Sequence, residues 1–273
     1  MTQIIREPDF FMKQLQNNGL LYFQFETFPD DGRIQHAIFS RRGGVSPAPY
    51  DSLNLSVSVP DDDERVYANR RRAYGLFGRD TDSVVHAHLV HGNHVVRVTQ
   101  ADNQSWPLGD ALITNEPGCG LTMNYADCAP IFLYDPVRQA IGLGHAGWQG
   151  AVKDLPGAMV QAMQREFGSA PADLLAGIGP AIGWAQYEVA EPLVSQVQES
   201  FANWPELLRA PPGPGNGRYH FDLALANYGR LAAAGVQRIE LSGLCTASRT
   251  DLFFSHRAEK GKTGRFGTIF ILC

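Results

Sequence analysis

Three short apolar runs crowd the middle of the chain, at residues 121–125, 131–134 and 140–143. Turn-forming residues separate them: Ala126-Asp127-Cys128-Ala129-Pro130 after the first, and a Gly-rich turn from Gly144 to Gly150 after the third. Runs this short and this close read as strands joined by tight connections, not as strands alternating with crossover helices. Further strands are expected at residues 84–90 and 95–98, joined as a hairpin through His91-Gly92-Asn93-His94, and at 174–178, 239–241 and 266–272. Helices are expected at 9–18, 66–77, 151–167, 192–201 and 223–234. The predicted fold is therefore α+β, with mixed, largely hairpin-linked sheets and helices packed outside, in place of a doubly wound parallel sheet.

No internal repeat or low-complexity linker divides the 273 residues. Residues 210–217 (APPGPGNG) are too rich in Pro and Gly for a helix or strand interior and read as a surface loop within one domain. A single domain over 1–273 is expected, with 1–35 as an N-terminal extension packed on it. That length closes a core without disulfide or metal staples.

Lys and Arg number 23 against 28 Asp and Glu, a net charge of −5 that argues against a nucleic-acid-coating or polybasic membrane-binding protein. No apolar run reaches the roughly 18 residues of a membrane span. Glu7 and Asp9 interrupt the position where a signal peptide carries its apolar segment. A cytoplasmic protein, monomeric or weakly dimeric, is expected.

The four cysteines, Cys119, Cys128, Cys245 and Cys273, form no C-x-x-C pair. Cys119 and Cys273 read as small buried core residues, and Cys245 as a packed thiol more readily than a second nucleophile. Four of the eight histidines, His86, His88, His91 and His94, lie within nine residues. A trinuclear copper oxidase needs several H-x-H pairs, and this chain holds one, so that reading fails on ligand count. His91, Cys128 and His145 each sit in a turn at the end of an apolar run, flanked by small residues. Two imidazoles and a thiolate suit a zinc ion with one open position, but the spacing alone leaves three readings open: structural residues, a metal site, or a Cys–His nucleophile pair.

Several motifs stand in order along the chain. They are Ser40-Arg41-Arg42-Gly43-Gly44-Val45-Ser46, Pro49-Tyr50-Asp51-Ser52-Leu53-Asn54-Leu55, Val90-His91-Gly92, Ala126-Asp127-Cys128 with Pro130, and His145-Ala146-Gly147-Trp148 with Gly150. Gly179-Pro180-Ala181-Ile182-Gly183, Tyr187-Glu188-Val189, Phe253-Phe254-Ser255 with Arg257, and Thr263-Gly264-Arg265 complete the set. With these the chain resembles the YfiH family, also called the laccase-domain or polyphenol oxidase family, which includes the peptidoglycan editing factor. The resemblance implies one α+β domain whose single metal, zinc or in older descriptions copper, is held by His91, Cys128 and His145. It implies phosphorolysis of adenosine, inosine, guanosine and methylthioadenosine, with deamination of adenosine beside it. Purine nucleoside and phosphate are then the expected partners, with no nucleic acid and no membrane. The chain departs from the family pattern at Leu89, Gln149 and His256.

For phosphate and substrate, Arg41 and Asn54 are the expected contacts: Arg41 offers a planar fork from a Gly-rich loop. The free N–H groups of the helix opening after His145 are a second anion candidate. Asp127 is expected as a catalytic acid or base, with a turn-capping role as the alternative. His86, His88 and His94 are expected to take no part in metal ligation. Phe253, Phe254 and Trp148 read as core. The H-x-E and P-C-x-x-C signature of zinc nucleoside deaminases is absent. Three other functions compete: a Cys–His amidohydrolase with Cys128 as nucleophile and His145 as base, a copper-dependent phenol oxidase, and a non-catalytic metal-binding regulator.

Overall fold

The closing strand, Phe266–Leu272, is apolar without alternation because both its faces are covered. Phe266, Phe270 and Leu272 point into one core while Ile269 and Ile271 point into another. The chain is seen here in a computed structural model that describes residues 3–5, 12–210 and 218–273. Phe266–Leu272 lies near the middle of an eight-stranded sheet, between Ile34–Phe39 and Gly120–Thr122. A six-stranded sheet faces it, ordered Arg238–Leu241, Leu175–Ile178, Ala129–Asp135, Ala140–Ala146, Ala111–Thr114, Val95–Arg97. Phe25, Phe28, Phe132, Tyr134, Ile141 and Phe270 fill the space between the sheets. The helix Leu155–Phe167 covers the outer face of the six-stranded sheet through Leu155, Met159 and Met163, and the helix Asp63–Gly75 covers the large sheet through Ala73 and Tyr74. The result is an α+β layering in which antiparallel pairings predominate.

Three local expectations are corrected. Where described, residues 9–18 hold a strand and no helix. Lys13–Asn17 pairs antiparallel with Leu20–Gln24 across Asn18-Gly19, both left-handed at φ 49° and 79°. Asn-Gly between two strand-length runs is a strong hairpin signal, and it outweighs the weak helical pattern before it. The segment ahead of residue 35 thus supplies strands to the large sheet, and Phe23, Phe25 and Phe28 to the core. The hairpin expected across His91–His94 does not form. Val85–His86 pairs parallel with Gly120–Thr122 in the large sheet, and Val95–Arg97 pairs parallel with Ala111–Thr114 in the other. The helix expected over 151–167 is two: Trp148–Val152 and Leu155–Phe167. Asp154, left-handed at φ 60°, caps the second by accepting the Gly157 N–H, and Pro156 is tolerated only in a first turn. The stretch 211–217 falls outside the described residues. Cys119 is buried as expected, whereas Cys273 is exposed at the end of the chain. Among the described residues no helix is long and apolar enough to cross a membrane.

One polar side chain fixes the Gly-rich loop to the helix behind it. Asn69, fully buried on Asp63–Gly75, accepts the Val45 N–H at 2.8 Å and donates to Ser46 Oγ at 2.9 Å, Asn54 O at 2.9 Å and Ser52 O at 3.2 Å. Asn69→Ala strands several buried groups at once and is expected to lower unfolding stability by roughly 2–4 kcal/mol, read from urea denaturation.

His36 supplies a pH dependence. Its ring stacks on Phe25, its Nε2 accepts the Phe25 N–H at 2.9 Å, and burial, helped by Lys13, pushes its pKa down to about 3. An unfolded histidine titrates near 6.5, so its contribution is present above that value and is lost as pH falls towards 3. Between pH 7 and 5 the loss is about 2 kcal/mol. His36→Gln is expected to shrink the stability drop over that interval by this amount in paired urea titrations.

Candidate active site

The hairpin of Ala129–Asp135 and Ala140–Ala146 sets the site. Pro130 pairs with His145 and Ala129 with Ala146, so Cys128 continues the strand opposite Gly147. Side chains two residues apart share a face, which puts Cys128 diagonally beside His145 on one side of the sheet. The approach is tight: a Cβ at Gly147 would stand 2.7 Å from Cys128 Sγ.

His91 arrives from the crossing segment between the sheets. Its backbone is left-handed at φ 54°. Asp110, fully buried, holds that turn by accepting the Val90 N–H at 3.0 Å and the Gly92 N–H at 2.8 Å, while its carbonyl accepts the His145 N–H at 2.8 Å. One aspartate therefore sets the relative position of both histidines, whose ring centres lie 5.8 Å apart. His91, Asp127, Cys128 and His145 all line a single cavity of about 760 Å³. Tyr187, Arg257 and Arg265 share its wall.

The floor of this cavity is buried and aromatic. His145 stacks on Tyr125 at 4.8 Å, and Tyr125 in turn donates its hydroxyl to Gly144 O. Burial first, then His91, push the His145 pKa down to about 3. Burial, reinforced by the Asp127 charge, pushes the Cys128 thiol up to about 12. Both shifts oppose a thiolate–imidazolium pair. Among the described residues neither imidazole nitrogen of His145 has a hydrogen-bond partner, although both are buried.

An orphaned neutral imidazole beside a thiol and a second imidazole is the donor chemistry of a zinc or copper site. Two imidazoles bonded to one tetrahedral ion have ring centres roughly 5 Å apart, close to the spacing seen. Among the described residues no group of three His, Cys, Asp or Glu already stands in metal-holding geometry. The residues therefore fit the group in chemistry and in neighbourhood, with their side chains not drawn together.

Other expected residues fall elsewhere. Asp127 lines the cavity, but its carboxylate is committed: Oδ1 accepts the Thr246 hydroxyl at 2.6 Å and Oδ2 the Arg257 N–H at 2.7 Å. Its backbone is left-handed at φ 89°, and its carbonyl accepts the Ile182 N–H. That is the turn-fixing role. Arg41 is outside the cavity wall. Its guanidinium donates to Asp51 O, Thr250 O and Glu259 Oε1 and lies 4.3 Å from the centre of the Phe254 ring. The fork expected for phosphate is thus spent inside the protein. Asn54 is fully buried, bonded to Ser56, Asp61 and the Arg265 N–H, and lies outside the cavity wall. The helix after His145 has only five residues, too short to focus much charge on an anion. His86 and His88 line the cavity but pack on Trp106, the first at 4.4 Å, and His94 is not in the wall. Cys245 accepts the Gly183 N–H. Phe253 and Phe254 are buried.

Asp110, Tyr187 and Arg265 were not singled out for these places by sequence reading. The signals were faint: a carboxylate at the start of an apolar run for Asp110, and for Arg265 an arginine flanked by Gly264 and a largely apolar strand.

The family described as Multi-copper polyphenol oxidoreductase laccase matches residues 35–273. Purine nucleoside phosphorylase YlmD of Bacillus subtilis is 37% identical over 250 residues, covering 88% of this chain and 89% of the relative. Purine nucleoside phosphorylase of Deinococcus radiodurans is also 37% identical, over 86% of this chain and 88% of its own. The crystal structure of Bacillus licheniformis hypothetical protein YfiH superposes with a TM-score of 0.86 at 31% identity, covering 94% of this chain and 97% of the other. YlmD from Geobacillus stearothermophilus superposes at 0.83 and 31%, covering 98% of both chains.

The 2.7 Å approach makes a direct test of the hairpin geometry. Gly147→Ala is expected to push the Cys128 thiol out of line, costing about 1–3 kcal/mol in stability from overpacking and a larger share of any activity that depends on the thiol. Thermal denaturation alongside turnover separates the two.

Proposed function

The chain belongs to the YfiH family, whose domain is described as Multi-copper polyphenol oxidoreductase laccase, and from that membership together with its cavity we propose that it is a zinc-dependent purine nucleoside phosphorylase. The single observation that carries the reading is the shared wall. His91, Cys128 and His145 open into the same 760 Å³ space as two arginines, in a chain whose relatives are named purine nucleoside phosphorylases. A cavity of that size accommodates a nucleoside and a phosphate together.

In the reaction a phosphate oxygen bonds to C1′ of the ribose as the C1′–N9 bond breaks. The bonding pair leaves on the purine, which takes up a proton, and ribose 1-phosphate remains. Such a step needs an anion held against the sugar and water kept away from it. Arg257 and Arg265 supply positive charge, and the buried Tyr125–His145 stack keeps the floor dry. His91, Cys128 and His145 would hold the zinc, or copper in its place. When bound, the metal supplies a Lewis acid and an acidified water, the latter being what deamination of adenosine requires. Adenosine, inosine, guanosine and methylthioadenosine are the proposed substrates, with deamination of adenosine as a side activity.

The electrostatics favour this reading over the Cys–His amidohydrolase. A general base held near pKa 3 does not deprotonate a thiol held near 12. A divalent cation removes the conflict, because neutral imidazole and thiolate are the forms it binds.

The test is a phosphate titration on purified protein of measured metal content, with adenosine as substrate. Adenine release is expected to rise with phosphate, while inosine formation is expected to be insensitive to it. Cys128→Ala is expected to hold little metal and to lose both products. Adenine release independent of phosphate, or a Cys128→Ala chain with undiminished turnover, overturns the proposal.

A further inference from the structure

Among the described residues, Arg265 is the half-buried arginine of the cavity wall, and no carboxylate is paired with it. Its Nη1 donates to the Thr263 and Gly264 carbonyls at 3.1 and 2.9 Å. Among the described residues its Nε and Nη2 have no hydrogen-bond partner, and the side chain is in no ion pair. A half-buried guanidinium with no counter-charge keeps hydrogen-bonding capacity open towards the cavity. Burial does lower its pKa, against the opposing pull of Asp127, Cys128 and Glu259. Arg257 differs: it is exposed, donates to Glu188 O, and lies 5.1 Å from the centre of the Tyr187 ring.

Two carboxylates are near enough to act on Arg265, and each is engaged elsewhere. Asp127 is bonded to Thr246 and to the Arg257 backbone. Glu259 takes the Ser255 N–H at 2.9 Å and the Thr263 hydroxyl at 2.5 Å on Oε2, and the Arg41 guanidinium at 2.9 Å on Oε1. Thr263 is the shared neighbour, since its hydroxyl binds Glu259 and its carbonyl binds Arg265. Glu259 and Arg265 are thus linked through Thr263, and the Glu259 charge acts on Arg265 without an ion pair between them. Ser255 and Thr263 hold the Glu259 Oε2, and the charge that competes for its Oε1 is Arg41, itself fixed by Asp51 O and Thr250 O.

We propose that Arg265 is the phosphate-binding residue of the cavity, and that the Arg41–Glu259 ion pair is a positioning device that keeps Glu259 from neutralising it. The proposal rests on the phosphorylase reading and deepens it. A tetrahedral oxyanion accepts two N–H groups from the free edge of the guanidinium, next to His145 and Cys128 along the same wall. The sequence-based expectation placed Arg41 on the phosphate itself. Here Arg41 acts one residue removed, by charge competition.

The experiment is a KM determination for phosphate at saturating inosine on the metal-loaded enzyme, with isothermal titration of inorganic phosphate on the same proteins. Arg265→Gln is expected to raise the phosphate KM about 10- to 100-fold, with inosine KM within about twofold of wild type. Arg265→Lys, which keeps the charge but not the fork, is expected to fall between. Arg41→Gln is expected to raise phosphate KM about tenfold by releasing Glu259 onto Arg265, and adding Glu259→Gln to it is expected to bring that KM back towards wild type. A merely structural role for the pair predicts the opposite, with the double variant worse than either single one. The rescue also decides the matter should Arg265→Gln fail to fold. An unchanged phosphate KM in both Arg265 variants overturns the binding assignment, and absence of rescue overturns the positioning role. If wild type binds phosphate, Arg265→Gln does not, and neither releases base, the subsite stands while the phosphorylase reading falls.

Discussion

The antiparallel register between Ala129–Asp135 and Ala140–Ala146 is the constraint on which the rest depends. Both strands are buried on both faces, so a slip of one residue would exchange Ile131 and Leu133 with Phe132 and Tyr134 between two differently shaped cores. The same register sets Cys128 opposite Gly147 and diagonal to His145. Core packing and site geometry are one constraint, and the site inherits the rigidity of the sandwich's centre.

Around that hairpin, polar groups are placed by strict commitment. Asp110 holds the His91 turn and the His145 backbone; Asp127 holds Thr246 and Arg257; Asn69 holds the Gly-rich loop; Glu259 holds Arg41, Ser255 and Thr263. In a dry interior an uncommitted polar group is expensive, so the exceptions carry information. Around this cavity the buried exceptions include both nitrogens of His145, and beside them the half-buried Arg265 turns a free guanidinium edge to the cavity. One suits a metal and the other an anion, the two things that the proposed reaction would have to hold.

Arg41 shows how a motif and its role separate. An arginine in a Gly-rich loop suggests an exposed fork, and residue type and flexibility alone support that. Its direction depends on Leu252, Phe254 and Glu259, more than two hundred residues away, whose strand and turns close over it. The 9–18 helix fails for the opposite reason, since there the deciding signal, Asn18-Gly19, was local and present. The 84–98 hairpin fails because two apolar runs with a turn between them fit one sheet or two equally well, and only the partners Gly120–Thr122 and Ala111–Thr114 distinguish them.

Sequence alone determined the α+β class, the apolar runs at 131–134, 140–143 and 266–272, which the structure extends to Ala129–Asp135 and Ala140–Ala146 so that His145 lies in a strand and not in a turn, and the trio His91, Cys128 and His145 that line one cavity. These follow from short-range pattern: strand-length apolar runs, turn residues between them, and imidazole and thiol side chains at or near the strand ends. Tertiary structure alone decided which sheet each short strand joined, that Asp127 braces a turn, and that Arg265 rather than Arg41 keeps a free guanidinium edge in the cavity. The physical reason is that charge and hydrogen-bond capacity belong to the residue, whereas which capacity remains unspent depends on neighbours brought together from distant parts of the chain.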